Sequence, residues 1–331
     1  MVSATVPLHQ DSKRTAESLH GAELNKKLRY SYLLCGWRTL SDLPLTSVPE
    51  VVFRSAAIDV LIQIAPECSP IAKKKQPFVF QHSLERSLIR IENVADFEVT
   101  VGRQIRVWPA ERSTLKDIEI YLFGPVWATL CHQRRILPLH ASAIVTRDGI
   151  TAFAGHSGVG KSFLAASMSS RGCRLVTDDI LPISLNQNSV PGAWPYLRRL
   201  KLKSDSISAF ALTAIEPVSE RFDKTKYFVL PKFLAKDEWS ALNRLYLLEV
   251  DPTVSRVEFD QLVGADAVRA LVDQTYHFNF IVGSRRFGEH LAFCTQLASK
   301  IGVYRVRRSA SLDTGRELGS FICTHLDKKS A

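Results

Sequence analysis

The stretch Gly155-His156-Ser157-Gly158-Val159-Gly160-Lys161-Ser162 fills every fixed position of the spacing G-x-x-x-x-G-K-[ST]. Glycines at those places let successive backbone N–H groups turn inward around phosphate oxygens. A lysine follows to reach the β- and γ-phosphates, and a serine hydroxyl to ligate Mg²⁺. The chemistry implied is capture of ATP with Mg²⁺. Gly155, Ser157, Gly158, Val159, Gly160, Lys161, Ser162 and Phe163 are the residues expected to touch the nucleotide.

Two further groups join them. Asp178 and Asp179 follow the apolar run Cys173-Arg174-Leu175-Val176, at the carboxyl end of an expected strand. In a strand–loop–helix–strand unit that end lies beside the loop, where ligands gather. Neighbours on extended chain point apart, so one carboxylate can hold Mg²⁺ while the other faces an incoming hydroxyl. His140 is the third group. Asp148-Gly149 between Ala141–Val145 and Ile150–Ala154 reads as a two-residue hairpin turn. With that turn Arg147 faces Ile150, Val145 faces Ala152 and Ser142 faces Gly155. The register brings His140 opposite the start of the loop.

The elements that must position these groups are legible around them. Ile150–Ala154 reads as a short buried strand feeding the loop, and Phe163–Met168 as a helix leaving it, with Gly172 as its C-terminal cap. Upstream, residues 1–27 read as a polar tail. Residues 28–114 read as a small β-rich domain with strands at 29–35, 50–53, 57–62, 88–91, 97–101 and 104–108. A helical stripe (Ile118, Tyr121, Leu122, Val126, Leu130), interrupted by Gly124-Pro125, opens the catalytic domain, 115–331. Lys73-Lys74-Lys75 before Pro77 reads as a solvated loop. Downstream, 245–250 reads as a buried strand, 264–274 as a helix with Ala265, Val268, Leu271 and Val272 inward, 303–307 as a strand and 312 onward as a last helix. Arg198, Arg199, Lys224 and Lys226 are candidates to meet phosphate or a substrate carboxylate. His277 and His290 lack metal-like spacing and read as structural.

Composition sets the class. The chain has 331 residues, 46% apolar and 23% charged, with a formal net charge of +10. That is a globular mix with a basic balance suited to nucleotides and acidic substrates. No nucleic-acid module is recognisable. The six cysteines are scattered, with no C-x-x-C pair, which argues against zinc and against a disulfide framework. No apolar run approaches a membrane span. A cytoplasmic location is expected.

Taken together, Leu139-His140-Ala141-Ser142, the hairpin, Gly155 to Ser162, Arg171-Gly172 and Asp178-Asp179 resemble the catalytic domain of the HPr kinase/phosphorylase family. They look most like its diverged serine kinases, some of which belong to lasso-peptide biosynthesis. The resemblance implies an α/β fold of the HPr kinase and phosphoenolpyruvate carboxykinase type, here behind a β-rich N-terminal domain. It implies ATP and Mg²⁺, with transfer to a serine hydroxyl. Carried over by position, Asp178 is the base with His140 beside it, Asp179 and Ser162 hold Mg²⁺, and Gly158 to Lys161 bind phosphate. Family relatives include hexamers, so a homo-oligomer is an expectation. His156 stands where true HPr kinases carry Asp, and their downstream glycine-rich segment has no good copy here. Both turn the expected acceptor away from HPr toward the C-terminal serine of a precursor peptide. A small-molecule kinase and a nucleotide sensor without turnover remain open alternatives.

Overall fold

The structure, a computed structural model, describes residues 29–53, 57–71, 78–219, 225–309 and 312–328. The polar tail, Lys73-Lys74-Lys75 and Lys224 lie outside the described residues.

The first half builds a seven-stranded mixed sheet. Tyr30–Leu34, Trp37–Ser41, Val60–Ile64 and Gln104–Pro109 neighbour one another in that order, followed by Ala95–Thr100, Arg86–Ile91 and Phe78–Gln81. Period-two patterning drives it: in Arg86–Ile91 the buried residues are Ser87, Ile89 and Ile91. Ala95–Thr100 turns into Gln104–Pro109 through residues 101–103, with positive φ at Val101 and Gly102 and the Arg103 N–H donating to the Thr100 carbonyl. The expected strand at 50–53 does not form. Only Glu50 makes an isolated bridge, to Tyr32. Trp37–Ser41 takes its place as the neighbour of Tyr30–Leu34, because Cys35 and Gly36, both at positive φ, fold the chain straight back.

Thr114 caps the next helix in a reciprocal box with Asp117. The helix runs Leu115–Tyr121, loosens into a π-turn over Leu122–Val126 and resumes as Trp127–Gln133. Pro125 has no N–H to donate, and Gly124 leaves helical φ/ψ, so the break sits at the expected dipeptide. The helix buries Ile118, Leu122, Val126, Trp127 and Leu130 against the first sheet, in a core that also takes Ile180, Tyr196 and Leu197 from beyond the loop.

Its last turn is tied to the second half. His132 Nε2 donates to the Tyr276 carbonyl at 2.9 Å, Arg286 Nη1 donates to the His132 carbonyl at 3.0 Å, and the imidazole stacks on Phe280. Burial pushes the His132 pKa down to about 3, against the smaller upward pull of the Tyr276 hydrogen bond. An unfolded imidazole takes up a proton below about pH 6.5, whereas this one stays neutral to far lower pH. Its stabilising contribution is therefore complete above about pH 6.5 and is lost as pH falls toward 3. Denaturant titrations at pH 7 and pH 5 should differ by roughly 2 kcal/mol from this group alone. His132→Gln should shrink that difference; an unchanged pH slope would contradict the assignment.

The second half is a nine-stranded sheet with helices on both faces. The loop strand Gly149–Ala154 lies between Ala141–Thr146, antiparallel, and Ser240–Val250, parallel. Gly302–Arg308 runs parallel to Ser240–Val250, and Arg174–Thr177 flanks Ala141–Thr146. Alternation sorts the faces. Ala152 and Ala154 meet Ala267, Ala270, Leu271 and Leu297 of the helices Gly264–Asp273 and Phe287–Ala298. Phe153 faces the other way, toward Leu164, Met168, Leu318 and Ile322 of Lys161–Ser170 and Leu312–Lys328. Cover on both faces explains why every residue from Ile150 to Ala154 is buried. In Gly264–Asp273 the inward stripe is 267, 270 and 271, whereas Ala265, expected inward, is exposed. A small separate sheet orders Leu200–Lys203, Lys226–Val229 and Ala214–Pro217. Among the described residues no helix is long and apolar enough to cross a membrane.

Candidate active site

The hairpin turns one residue earlier than its dipeptide signal suggests, which shifts each cross-strand partner by two. Thr146 pairs with Gly149, so Arg147-Asp148 forms the turn and Ala141 pairs with Ala154. Gly149 is needed for another reason: it sits at φ 123°, and a Cβ there would stand 2.6 Å from the Ala241 carbonyl of the adjacent strand. Asp148 is held by Arg244 at 2.8 Å. A shift of two residues leaves every side chain on its expected face. Ser142, expected opposite Gly155, pairs with Phe153, and His140, one residue before Ala141, comes next to the start of the loop instead.

In the loop Gly155, Gly158 and Gly160 have φ of 136°, 84° and 106°, which side-chain-bearing residues rarely adopt. Gly155 is the tightest. A Cβ would fall 2.5 Å from the Leu248 carbonyl, and its N–H donates to Gln274 Oε1 at 2.9 Å. Gly155→Ala should weaken ATP binding at least about tenfold, in line with roughly 1–3 kcal/mol of backbone strain. Gly288→Ala, where a Cβ meets nothing, should leave it unchanged. Calorimetric titration of both variants checks this, and equal affinities would refute it.

Lys161 opens the loop helix and is buried. Its Nζ donates to the carbonyls of Gly155 at 2.8 Å and His156 at 3.2 Å. Burial pushes its pKa down, while Asp179 and Asp178 pull it back up. Phosphate oxygens in the loop would be stronger acceptors than these carbonyls.

The two carboxylates have different surroundings. Asp178 is 4% exposed. Its Oδ1 accepts from the hydroxyls of Ser142 and Ser162, the latter at 2.9 Å, and its Oδ2 accepts from the Lys201 backbone N–H at 2.9 Å. Burial raises its pKa, outweighing the Ser142 and Lys201 hydrogen bonds that favour the anion. The Ser142 contact explains how the loop helix's sequel reaches the site. Arg174–Thr177 lies one strand away from the loop strand, and Ser142 on the strand between them bridges the gap.

Asp179 is in the left-handed region at φ 91°, a conformation costing on the order of 1–3 kcal/mol. That turn points its carboxylate into the cleft, where Oδ2 is 2.7 Å from Lys201 Nζ and Oδ1 is 3.3 Å from His140 Nδ1. Burial alone would raise its pKa, but Lys201 and His140 outweigh it and hold the carboxyl well below the usual range. The Asp179 carbonyl also lies 3.0 Å from His140 Nδ1. A carbonyl can only accept, so Nδ1 is the donor in this contact.

These groups line one cavity of about 290 Å³, between the loop and the strand Leu200–Lys203. Of the sequence-derived candidates His140, Ser157, Gly158, Gly160, Lys161, Ser162, Phe163, Asp178 and Asp179 all line it, as does Lys226. Gly155 and Val159 face the other side of the loop, where they line a second hollow with Leu248 and Gln274. Arg198 and Arg199 do not line the cavity. Arg198 donates to the Ala235 carbonyl at 2.6 Å and pairs with Asp237, and Arg199 lies 3.5 Å over the Phe228 ring. His277 and His290 pack among aromatic rings away from it. Three participants were not singled out from sequence, Lys201, Gln274 and Arg308, and Ser142 entered only through the hairpin register and the Leu139-His140-Ala141-Ser142 motif. Lys201 had a signal in the alternation Leu200-Lys201-Leu202-Lys203, and Arg308 in its place at a strand's carboxyl end. Gln274 had none.

No protein family model matches the sequence, and no curated protein matches it. Among solved structures the chain is similar to the Hpr(Ser) kinase/phosphatase from Coxiella burnetii, at 12% identity over 59% of this chain and 99% of that one, with a TM-score of 0.31.

Proposed function

We propose that the protein is an ATP- and Mg²⁺-dependent kinase that transfers the γ-phosphoryl group to a serine hydroxyl of a peptide or protein. One observation carries the reading: the loop serine Ser162 and the acceptor-facing Asp179 meet in one cavity, linked through Asp178 and Lys201.

The donor set fits magnesium. Ser162 Oγ and Asp178 Oδ1 are hard oxygens 2.9 Å apart beside the loop, and Mg²⁺ takes one or two carboxylates together with phosphate oxygens and water. Among the described residues no three His, Cys, Asp or Glu converge into a dedicated cage. When bound, the ion would neutralise phosphate charge.

We assign the carboxylates the opposite way from the positional expectation: Asp178 with Ser162 to the metal, Asp179 to the acceptor. Asp178 is 4% exposed and its Oδ1 already accepts from the Ser162 hydroxyl, which favours pairing these two oxygens at the metal. Asp179 faces the cavity with His140. In the transfer the acceptor oxygen bonds to the γ-phosphorus, the bond from that phosphorus to the β–γ bridging oxygen breaks, and ADP leaves. The hydroxyl proton passes to Asp179. A carboxylate of low basicity suffices, because the transition state is loose and the gain comes from positioning and charge. Lys161 and the loop N–H groups hold the phosphates in line.

The preferred acceptor is the C-terminal serine of a ribosomal precursor peptide of lasso type. An HPr-type carrier, free serine and a sensor without turnover are the alternatives. Intact-mass measurement after incubation with Mg-ATP separates them. A phosphoryl mass gain on serine-ended peptides supports the reading; gain only on the carrier protein or free serine moves the acceptor class.

A further inference from the structure

Arg308 is the last residue of the strand Gly302–Arg308 and lies against the phosphate loop. Its strand runs parallel to Ser240–Val250, which runs parallel to the loop strand Gly149–Ala154. Arg174–Thr177 shares that direction, because Ala141–Thr146 is antiparallel both to it and to the loop strand. The carboxyl ends of all four strands therefore meet at one edge of the sheet, where ligands gather. Across that edge stand Asp178 and Asp179 on one flank, the loop in the middle and Arg308 on the other flank.

The arginines of this strand are not equivalent. Arg305 pairs with Glu249 at 3.3 Å, and Arg307 pairs with Asp260 at 3.1 Å and Glu258 at 3.4 Å. Arg308, on the opposite face by alternation, meets only carbonyls among the described residues. Its Nη2 donates to Val159 at 2.8 Å and its Nη1 to Ser309 at 2.9 Å. A half-buried cation held by carbonyls alone is a site for an anion, and burial pushes its pKa down. The guanidinium carries more N–H donors than these two carbonyls use. It is also close to the loop backbone: a Cβ on Gly160 would stand 3.2 Å from Nη2. Arg308 lines the same cavity as Lys161 and Asp179.

The flank selects the phosphate. In-line transfer puts the acceptor and leaving oxygens on opposite sides of the γ-phosphorus. With Asp179 taking the acceptor's proton, the leaving ADP lies toward the far flank of the loop, where Arg308 stands. We propose that Arg308 binds the β-phosphate of the nucleotide and neutralises the charge that gathers there as ADP leaves. This rests on the kinase reading and adds a residue to its machinery. As the acceptor oxygen bonds to the γ-phosphorus, the bond to the bridging oxygen breaks and its electron pair stays on ADP. Arg308 keeps its proton throughout and acts as a fixed charge with a planar fork of donors.

The test is calorimetric titration of the full chain, with Mg²⁺ present, by ADP, AMP and the non-hydrolysable ATP analogue AMP-PNP. R308Q should bind ADP at least about tenfold more weakly than wild type, the loss of a charge-assisted fork. AMP has no β-phosphate, and its affinity should change by no more than about twofold. R308K, which keeps the charge and loses the fork, should bind ADP with an affinity between the two. A carbonyl accepts from a neutral amide as well as from a cation, so an arginine that only braced Val159 would be replaceable by glutamine. Without nucleotide R308Q should melt no lower than wild type, since a desolvated cation has been removed. Equal ADP affinity in wild type and R308Q overturns the assignment, as does an equal loss for AMP and ADP. A weaker ADP affinity that comes with a lower melting temperature, or R308K binding as weakly as R308Q, overturns it too by leaving Arg308 a brace. Wild type that binds neither ADP nor AMP-PNP overturns the nucleotide reading beneath it, and this inference with it.

Discussion

Asp179→Asn should bind Mg-ATP as wild type does and lose transfer by about 10²–10⁴-fold, the usual worth of a positioned acid–base group. The substitution keeps the shape and removes only the proton acceptor and the charge. Asp178→Asn should behave differently. It replaces one of the two oxygens offered to the Ser142 and Ser162 hydroxyls and to Lys201 N–H by a donor, in a site with no room for one. Magnesium dependence should shift as well as rate, so that higher Mg²⁺ restores part of the activity. Single-turnover rates over a magnesium series distinguish the two. If Asp178→Asn loses transfer with unaltered magnesium dependence while Asp179→Asn keeps it, the roles are the other way round.

Trp127→Ala should be the most damaging substitution outside the site. The ring is fully buried, stacked at 5.8 Å on Trp37 of the first sheet and at 5.6 Å on Tyr196 of the second half. Removing a core tryptophan costs about 3–5 kcal/mol, because the surroundings collapse only partly into the void. The loss should reach the site too, since the Tyr196 N–H donates to the Val176 carbonyl, two residues before Asp178. Denaturant titration should show the stability loss, and nucleotide affinity should fall when measured close to the new midpoint. A loss under about 1 kcal/mol would mean that the stack is not what holds the helix between the two halves.

The parts of the site that could be read ahead of the structure are those that chemistry confines to a short span. A phosphate loop needs its glycines, lysine and serine within eight positions, and the strand and helix on either side follow from local pattern. The hairpin parity put His140 across from the loop even though the turn itself lies one residue away from the Asp-Gly signal. What escaped comes from far along the chain. Lys201 reaches Asp179 from a separate sheet, Gln274 supports Gly155 from the end of a helix on the opposite face, and Arg308 meets Val159 from the last strand. No local period announces such meetings. Arg198 and Arg199 show the reverse failure: the residue type suited phosphate, but Asp237 and the Phe228 ring had prior claim on the side chains. The different duties of Asp178 and Asp179 depend on a left-handed φ at Asp179, which residue type alone does not signal.

Phosphoryl transfer in this cavity is the proposed activity. It is tested most directly by following the γ-phosphate of ATP with ³¹P NMR, in the presence of Mg²⁺ and serine-ended peptides. The γ signal should disappear as a phosphomonoester signal grows, both changes requiring Mg²⁺ and both absent in Lys161→Ala. Tight ATP binding with an unchanged γ signal across serine-ended peptides, an HPr-type protein and free serine would contradict it and leave a nucleotide sensor.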